Sequence, residues 1–122
     1  MKKVLLALLA AASLLFTTTL TAADSAPQSI IHVVTVTWKA GTTPEQIQAA
    51  LDGVKALPAQ YPGITRVWTK TVKAQGERTH VFVMEFADAA AFKGYTDSAA
   101  QKEWYKVYLP IRERSTTFDA SN

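Results

Sequence analysis

The 122-residue sequence contains no cysteine. This absence excludes a disulfide scaffold, a thiolate nucleophile, a cysteine-ligated zinc site and a lipid-modified N-terminal cysteine. The chain also has only two histidines, and its five glycines form no phosphate-binding loop. No Ser-His-Asp order with a nucleophile elbow occurs. These absences leave few kinds of catalysis open, and we expect no cofactor.

The chain also has no large excess of positive or negative charge. The chain has 13 Lys and Arg against 10 Asp and Glu, a net charge of +3. Lys2 and Lys3 lie in a segment that we predict is removed, which leaves +1 for the mature chain. This balance gives little support to a nucleic-acid surface, so we predict no nucleic-acid partner. With 48% hydrophobic and 19% charged residues, the composition is typical of a globular domain.

Residues 1–23 have the order of a secretory signal peptide. Lys2 and Lys3 precede an uncharged stretch over residues 4–16, and small residues follow up to Ala23. The apolar stretch is short for a bilayer span of about 20 residues. We predict cleavage after Ala23, with Ala22 or Ala26 as alternatives, and a periplasmic or secreted mature protein without stable membrane insertion. An uncleaved N-terminal anchor is the alternative.

The mature chain alternates between strand and helix patterns. Residues 24–29 are predicted to be a flexible start, 30–119 one domain, and 120–122 a tail. Pro58 is expected to end the first helix, and Pro110 to bend or end the last one. Apolar and β-branched patterning predicts this order: strand 30–38, helix 44–56, strand 64–72, strand 79–86, helix 87–95, helix 98–112, strand 115–118.

This order predicts a fold of the α+β class. It is the split βαβ pattern of a ferredoxin-like plait, with an antiparallel four-stranded sheet and helices on one face. The other face would carry Ile31, Val33, Val81 and Val83. Because soluble monomers avoid such an exposed apolar surface, we predict a homodimer with the two sheets face to face.

Several segments, in their order along the chain, carry a family resemblance. They are IIHVVTVTWKAGTTPEQ with His32, LPAQYPGI over 57–64, THVFVMEF from Thr79, then Tyr95, and YLPIRERSTTFD over 108–119. With these segments the mature chain resembles the stress-responsive A/B-barrel (Dabb) family, whose members are dimeric α/β barrels. A plant member of that family is a polyketide cyclase that needs no cofactor and uses a tyrosine and a histidine.

The resemblance places Tyr95 at the position of the cyclase tyrosine. The histidine that follows it by six residues in the cyclase is replaced here by Gln101, within YTDSAAQ. Glutamine can form a hydrogen bond with Tyr95 but cannot titrate near neutral pH. We therefore predict that this protein lacks Tyr–His cyclase chemistry, unless His32 or His80 substitutes from the sheet.

His32, His80 and Tyr95 are the candidate catalytic residues. Both histidines are predicted on one face of neighbouring strands, where the imidazoles could stand close together as a general base or a metal pair. No carboxylate or third histidine is evident on these faces, so we predict no metal site. The alternative is that the histidines are buried, hydrogen-bonded residues and that Tyr95 belongs to the core.

We predict a ligand pocket between the sheet and the helices. It would bind a small, largely apolar or aromatic molecule. The alternatives are a cofactor-free cyclase, isomerase or monooxygenase acting on an aromatic or polyketide-like substrate, and a filled barrel with no pocket. Core packing is the alternative role for the apolar members of the predicted lining, which comprises His32, Val34, Val36, Leu51, Val54, His80, Phe82, Tyr95, Gln101, Trp104 and Val107.

Overall fold

The structure is a computed structural model that describes residues 28–122. The predicted signal peptide over residues 1–23, and residues 24–27, lie outside the described residues. The elements follow the predicted order: β1 Ile30–Trp38, α1 Pro44–Gln60, β2 Ile64–Trp68, β3 His80–Phe86, α2 Ala89–Tyr95, α3 Ala99–Tyr108 and β4 Arg112–Ser121.

The four strands form one antiparallel sheet with the order β2-β3-β1-β4. The first and third strands are therefore neighbours at its centre, as predicted. On β1, His32 is opposite Met84 of β3 and Asp119 of β4. The strand order confirms the ferredoxin-like α+β fold. The pairing places His32 and Asp119, from the first and last strands of the described domain, on the same face.

β4 is much longer than the predicted strand over residues 115–118. It spans ten residues and pairs with β1 along its whole length. Ala120 and Ser121, predicted as part of a tail, are opposite Ile31 and Ile30. β4 is an edge strand, and its sequence is mostly polar. Its length is therefore set by backbone pairing with β1, and no apolar pattern marks where it begins and ends.

α1 is also longer than predicted, because Pro58 lies within its last turn and does not end it. At this position the missing N–H costs a single helical hydrogen bond, and the Tyr61 N–H still donates to the Leu57 carbonyl at 2.8 Å. The start of α1 is as predicted. Thr43 and Gln46 form a capping box, each side chain accepting a hydrogen bond from the other's backbone N–H.

β2 ends at Trp68 instead of residue 72. Beyond Trp68 a side chain replaces the backbone pairing with β3, because the Val81 N–H donates a hydrogen bond to the Thr71 hydroxyl at 2.9 Å. α3 ends at Tyr108, so Pro110 lies in the turn before β4 and outside the helix. None of the helices within residues 28–122 is long and apolar enough to cross a bilayer.

The core lies between the helices and one face of the sheet. Val36, Val54, Leu57 and Phe86 are fully buried there. α1 and α3 approach each other closely at Gly53, where an added Cβ would lie 2.5 Å from the Trp104 ring. The Trp104 indole N–H donates to the Ala50 carbonyl at 2.9 Å. Together these contacts fix the position of Trp104 against the sheet.

None of the helices within residues 28–122 covers the opposite face of the sheet, as predicted. Ile31, Val33, Val81 and Val83 are partly exposed on it and line a shallow groove with Trp68, whose side chain is 45% exposed. An ion pair lies beside the groove, since Arg66 donates to the buried carboxylate of Glu85. This hydrogen bond is the main reason that the pKa of Glu85 lies below its usual range.

Candidate ligand pocket

A pocket of about 90 Å³ lies between the helix-covered face of the sheet and the two last helices. Residues of β1, β3 and β4 form one side, and the end of α2 and one face of α3 form the other. Its lining combines aromatic rings with polar groups: His32, Val34, Phe82, Met84, Tyr95, Gln101, Trp104, Tyr105, Tyr108, Arg112, Ser115 and Thr117.

The structure brings six of the predicted lining residues to this pocket: His32, Val34, Phe82, Tyr95, Gln101 and Trp104. Val36, Leu51 and Val54 are core residues instead. Val107 is 42% exposed, because the buried face of α3 carries Ala100, Trp104 and Tyr108. His80 lies outside the pocket, against two surface depressions near the β2–β3 connection.

Half of the lining residues were not predicted from the sequence pattern. Three of the missed residues, Arg112, Ser115 and Thr117, belong to β4. Side chains alternate between the two faces of a strand, so Ser115, Thr117 and Asp119 share the pocket face of β4. A strand predicted at its full length would have indicated this. Met84 shares its face with Phe82, and Tyr105 and Tyr108 lie on the same helix as Trp104. The lining is consequently more polar than predicted.

His32 has a carboxylate partner. Its Nδ1 lies 2.5 Å from Oδ1 of Asp119, and the two residues are opposite each other on β1 and β4. Asp119 of β4 therefore adds a carboxylate to this sheet face that was not evident on the faces of β1 and β3. Because an ionised carboxylate can only accept, the hydrogen is on Nδ1 of His32. The ring also contacts Phe86 and Phe92, which restrict its orientation.

His80 has a different partner and a different place. It is opposite Val36, four positions along β1 from His32, which separates the two backbones by about 13 Å. The expectation that the imidazoles stand close together is therefore wrong. Nδ1 of His80 accepts a hydrogen bond from the Trp38 indole N–H at 2.8 Å. Burial lowers the pKa of His80, which favours the neutral imidazole that this bond requires.

Two phenol groups of the lining are buried and lack a hydrogen-bond partner in the described part of the chain. The hydroxyls of Tyr95 and Tyr108 have no hydrogen-bond partner among residues 28–122. Burial raises the pKa of both groups, helped at Tyr95 by the neighbouring Tyr105. Ser115 and Arg112 lie near enough to Tyr108 to offset part of the rise in its pKa. Both phenols are therefore neutral hydrogen-bond donors at neutral pH.

Gln101 has a local structural role. Its side-chain oxygen accepts a hydrogen bond at 2.8 Å from the backbone N–H of Asp97, a residue with a φ of 64° at the turn before α3. The hydrogen bond to Tyr95 that the sequence allowed is not formed, since the Tyr95 hydroxyl has no partner among the described residues. Gln101 thus supports the start of α3 at the edge of the pocket.

One wall of the pocket is a rigid group of aromatic rings. Trp104 and Tyr108 are stacked with ring centres 4.4 Å apart and an interplanar angle of 9°. Phe82 meets both of them edge-on. The Arg112 guanidinium lies 5.7 Å from the centre of the Tyr108 ring. No group of three or more histidine or carboxylate side chains within residues 28–122 is arranged to hold a metal ion.

The fold and the pocket together define a small ferredoxin-like α+β domain with a pocket between its sheet and its helices. The stress-responsive A/B-barrel domain family, Dabb, matches residues 30–122. The chain belongs to this family, as its sequence segments predicted. None of the curated proteins compared with the chain matches it significantly.

Similar solved structures include enzymes and a protein without a known function. A hydroxynitrile lyase from Passiflora edulis superposes with a TM-score of 0.70 at 19% identity, covering 79% of this chain and 94% of the lyase. A dimeric ferredoxin-like protein of unknown function from Bacteroides fragilis gives a TM-score of 0.63 at 17% identity, with 80% and 99% covered. A single-residue variant of SnoaB, a cofactor-independent oxygenase from Streptomyces nogalater, gives 0.63 at 14%, with 78% and 93% covered.

Proposed function

We propose that this protein is an exported, homodimeric binding protein for a small molecule that has an apolar or aromatic body and a hydrogen-bond acceptor. The observation that carries the proposal is the pair of buried hydroxyls of Tyr95 and Tyr108, which line one pocket without a partner among residues 28–122. A buried polar group without a hydrogen bond costs about 1–3 kcal/mol. A ligand acceptor placed between these donors recovers part of that cost.

The size and the walls of the pocket define the kind of ligand. Its volume of about 90 Å³ is small beside the roughly 300–1,000 Å³ of sites for drug-sized molecules. The stacked rings of Trp104 and Tyr108 and the edge of Phe82 offer a flat apolar wall. A single aromatic ring or a short chain with one polar end suits such a space.

Binding can be measured with a panel of single-ring molecules that carry a hydroxyl, carbonyl or carboxylate group. Trp104 lines the pocket, so tryptophan fluorescence or NMR shifts of its indole N–H report on occupancy. We expect saturable binding by at least one member and weaker binding in Tyr95→Phe and Tyr108→Phe. Tyr61→Phe is the matched control, because the Tyr61 hydroxyl donates to the Ala91 carbonyl outside the pocket. No saturable binding, or equal loss in all three variants, would contradict the proposal.

The homodimer is proposed from the uncovered sheet face. Val33 and Val83 are opposite each other near its centre, and Trp68 and Phe118 are strongly exposed on it. A second copy bound face to face would remove this apolar surface from water. The dimeric state of the Bacteroides fragilis protein, which has the same fold, supports a homodimer. Light scattering should give twice the mass of the mature chain.

Export is proposed from the signal-peptide pattern over residues 1–23. Intact-mass analysis of protein recovered from the periplasm or the medium should show a chain that starts at Asp24. Protein that still carries residues 4–16 after export would contradict this proposal. The proposal is independent of the pocket, since it concerns residues outside the described domain.

A cofactor-free enzyme is the second candidate, and one observation favours it. His32 is oriented by Asp119 and lines the same pocket as Tyr95. A carboxylate-oriented imidazole beside a neutral phenol can remove and return a proton. The solved relatives include a lyase and a cofactor-independent oxygenase of this fold. Gln101 cannot titrate, so Tyr–His cyclase chemistry stays predicted to be absent unless His32 takes the place of the missing histidine.

Assays of cyanide release from an aromatic cyanohydrin and of oxygen uptake with an electron-rich phenol test this candidate. If His32 is the general base, His32→Gln should lower turnover by a factor of about 10² to 10⁴, with ligand binding largely kept. His80→Gln serves as the control, because His80 lies outside the pocket. Turnover that does not depend on His32 would contradict the assignment.

A further inference from the structure

One cationic group of the pocket, Arg112, has no acidic partner among residues 28–122. Arg66 pairs with Glu85 and Arg114 pairs with Glu77. Arg112, by contrast, forms no ion pair with any carboxylate among residues 28–122, and its side chain is only partly exposed. Its guanidinium lies over the Tyr108 ring at the wall of the pocket. An unpaired, partly desolvated guanidinium is an available partner for an anion.

We propose that the pocket binds a small monocarboxylic acid, with the carboxylate held by Arg112 and the hydroxyl of Tyr108. This inference rests on the proposed function and names the class of its ligand. Arg112 supplies a planar set of N–H donors that match the two oxygens of a carboxylate. The Tyr108 hydroxyl lies near Ser115 and Arg112 but forms no hydrogen bond with correct geometry among residues 28–122, so it is a further donor for the acid. The ring or short chain of the acid would pack against the aromatic wall.

The charges around the pocket favour an anion at this end. The carboxylate of Asp119 is bound to His32 and is opposite it in the sheet, whereas Arg112 is opposite Trp38 at the other end of β1. The six positions between His32 and Trp38 correspond to about 20 Å of strand. The backbones of Asp119 and Arg112 are therefore far apart, and the Asp119 carboxylate is already paired with His32. A neutral acceptor would gain the phenol hydrogen bond but would leave the positive charge of Arg112 without a counter-charge.

Two probes of nearly the same shape separate charge from packing. Benzoate and benzamide share the ring and differ in the charge of the polar group. We expect the purified protein to bind benzoate about tenfold more tightly than benzamide, because a hydrogen bond between charged groups is stronger than one to a neutral amide. Arg112→Gln should abolish that preference and weaken benzoate about tenfold, while changing benzamide less than about twofold. Arg112→Lys, which keeps the charge but not the fork of donors, should be intermediate.

Arg114→Gln is the matched control. Arg114 is two positions away on the same strand, but its partner is Glu77 and it does not line the pocket. This variant should bind both probes like the unmodified protein. Thermal unfolding of each variant verifies that the fold is retained.

The outcomes distinguish this inference from the proposed function. If benzamide binds as tightly as benzoate and depends on Tyr95 and Tyr108, the pocket binds ligands but the acid class is wrong. If benzoate is preferred but Arg112→Gln does not change the preference, the assignment to Arg112 is wrong. If neither probe binds, and phenylacetate and its amide do not bind either, the acid class is overturned, and the wider panel of hydroxyl and carbonyl ligands decides the proposed function separately.

Discussion

Nδ1 of His32 lies 2.5 Å from a carboxylate oxygen of Asp119, a residue 87 positions later in the chain. The bond joins the first strand of the domain to the last one at the edge of the pocket. The other histidine has the reverse arrangement, because Nδ1 of His80 accepts the Trp38 indole N–H. The two imidazoles therefore differ in which nitrogen carries the hydrogen.

The first prediction concerns these tautomers. In the neutral state, His32 should carry its hydrogen on Nδ1 and His80 on Nε2, because a carboxylate only accepts and an indole N–H only donates. Long-range ¹H–¹⁵N correlation spectra distinguish the two forms. Asp119→Asn should weaken the preference at His32 and leave His80 unchanged. The same tautomer at both histidines would contradict the hydrogen bonds described above.

The second prediction concerns the unpaired phenols. Tyr95→Phe and Tyr108→Phe should each leave the free energy of unfolding unchanged or raise it by up to about 1 kcal/mol, because the lost hydroxyl has no partner among the described residues. Tyr61→Phe should lower it by about 1 kcal/mol, since this change removes a hydrogen bond of 2.7 Å to the Ala91 carbonyl. Urea unfolding of the three variants tests the contrast. A similar loss in all three would show that the phenols are paired within the protein.

The third prediction concerns the close contact between α1 and α3. Gly53→Ala should gain about 1 kcal/mol of helix propensity, but the added Cβ would lie 2.5 Å from the Trp104 ring. Trp104 cannot move freely because its indole N–H is bound to Ala50. We expect a net loss of about 1–2 kcal/mol in the free energy of unfolding, as for other overpacked sites. The exposed Ala49 on the same helix is the control, since Ala49→Gly should lose only about 1 kcal/mol.

The fourth prediction concerns pH. Burial lowers the pKa of His80 below its ordinary value of 6.5, so the unfolded chain takes up a proton more readily than the folded chain. The contribution of His80 to the free energy of unfolding is therefore fully present above about pH 6.5 and falls as the pH decreases below this value. Protonation would also place a second donor against the Trp38 indole. Urea unfolding between about pH 7.5 and 5.5 should show a smaller loss of stability on acidification in His80→Gln than in the unmodified protein.

This interval lies above the range in which Glu85 and Asp52 titrate, because the pKa of each is lowered from ordinary values of 4.5 and 3.8. A pH dependence that is identical in His80→Gln would contradict the assignment. A rise in stability on acidification, which is lost in the variant, would contradict the sign.

The fifth prediction concerns the uncovered sheet face. Val83→Asp places a charge at the centre of the proposed dimer interface, where burying it without a partner would cost several kcal/mol. The variant should be a folded monomer in light scattering. Val107→Asp is the control, because Val107 is exposed on α3, on the helix side of the domain. Retention of the dimer in Val83→Asp would show that the sheet face is not the interface.

Much of the fold could be predicted because its signals are local. The run of β-branched residues in β1 and the capping box of Thr43 and Gln46 act between near neighbours in the chain. The alternation along β1 and β3 also predicted which face the helices would cover, as Val34 and Phe82 show. Where a local signal was weak, as in the polar strand β4, the predicted bounds were wrong.

The amino-acid sequence by itself determined the order of the elements, the two faces of the sheet and the family. The tertiary structure decided which side chains meet: Asp119 with His32, Trp38 with His80, and Arg112 with Tyr108. The first two contacts depend on the register of pairing between strands that are distant in the chain, and the third on the turn that joins α3 to β4. A register is set by backbone hydrogen bonds and by the summed packing of a whole face, so no local pattern of residues encodes it.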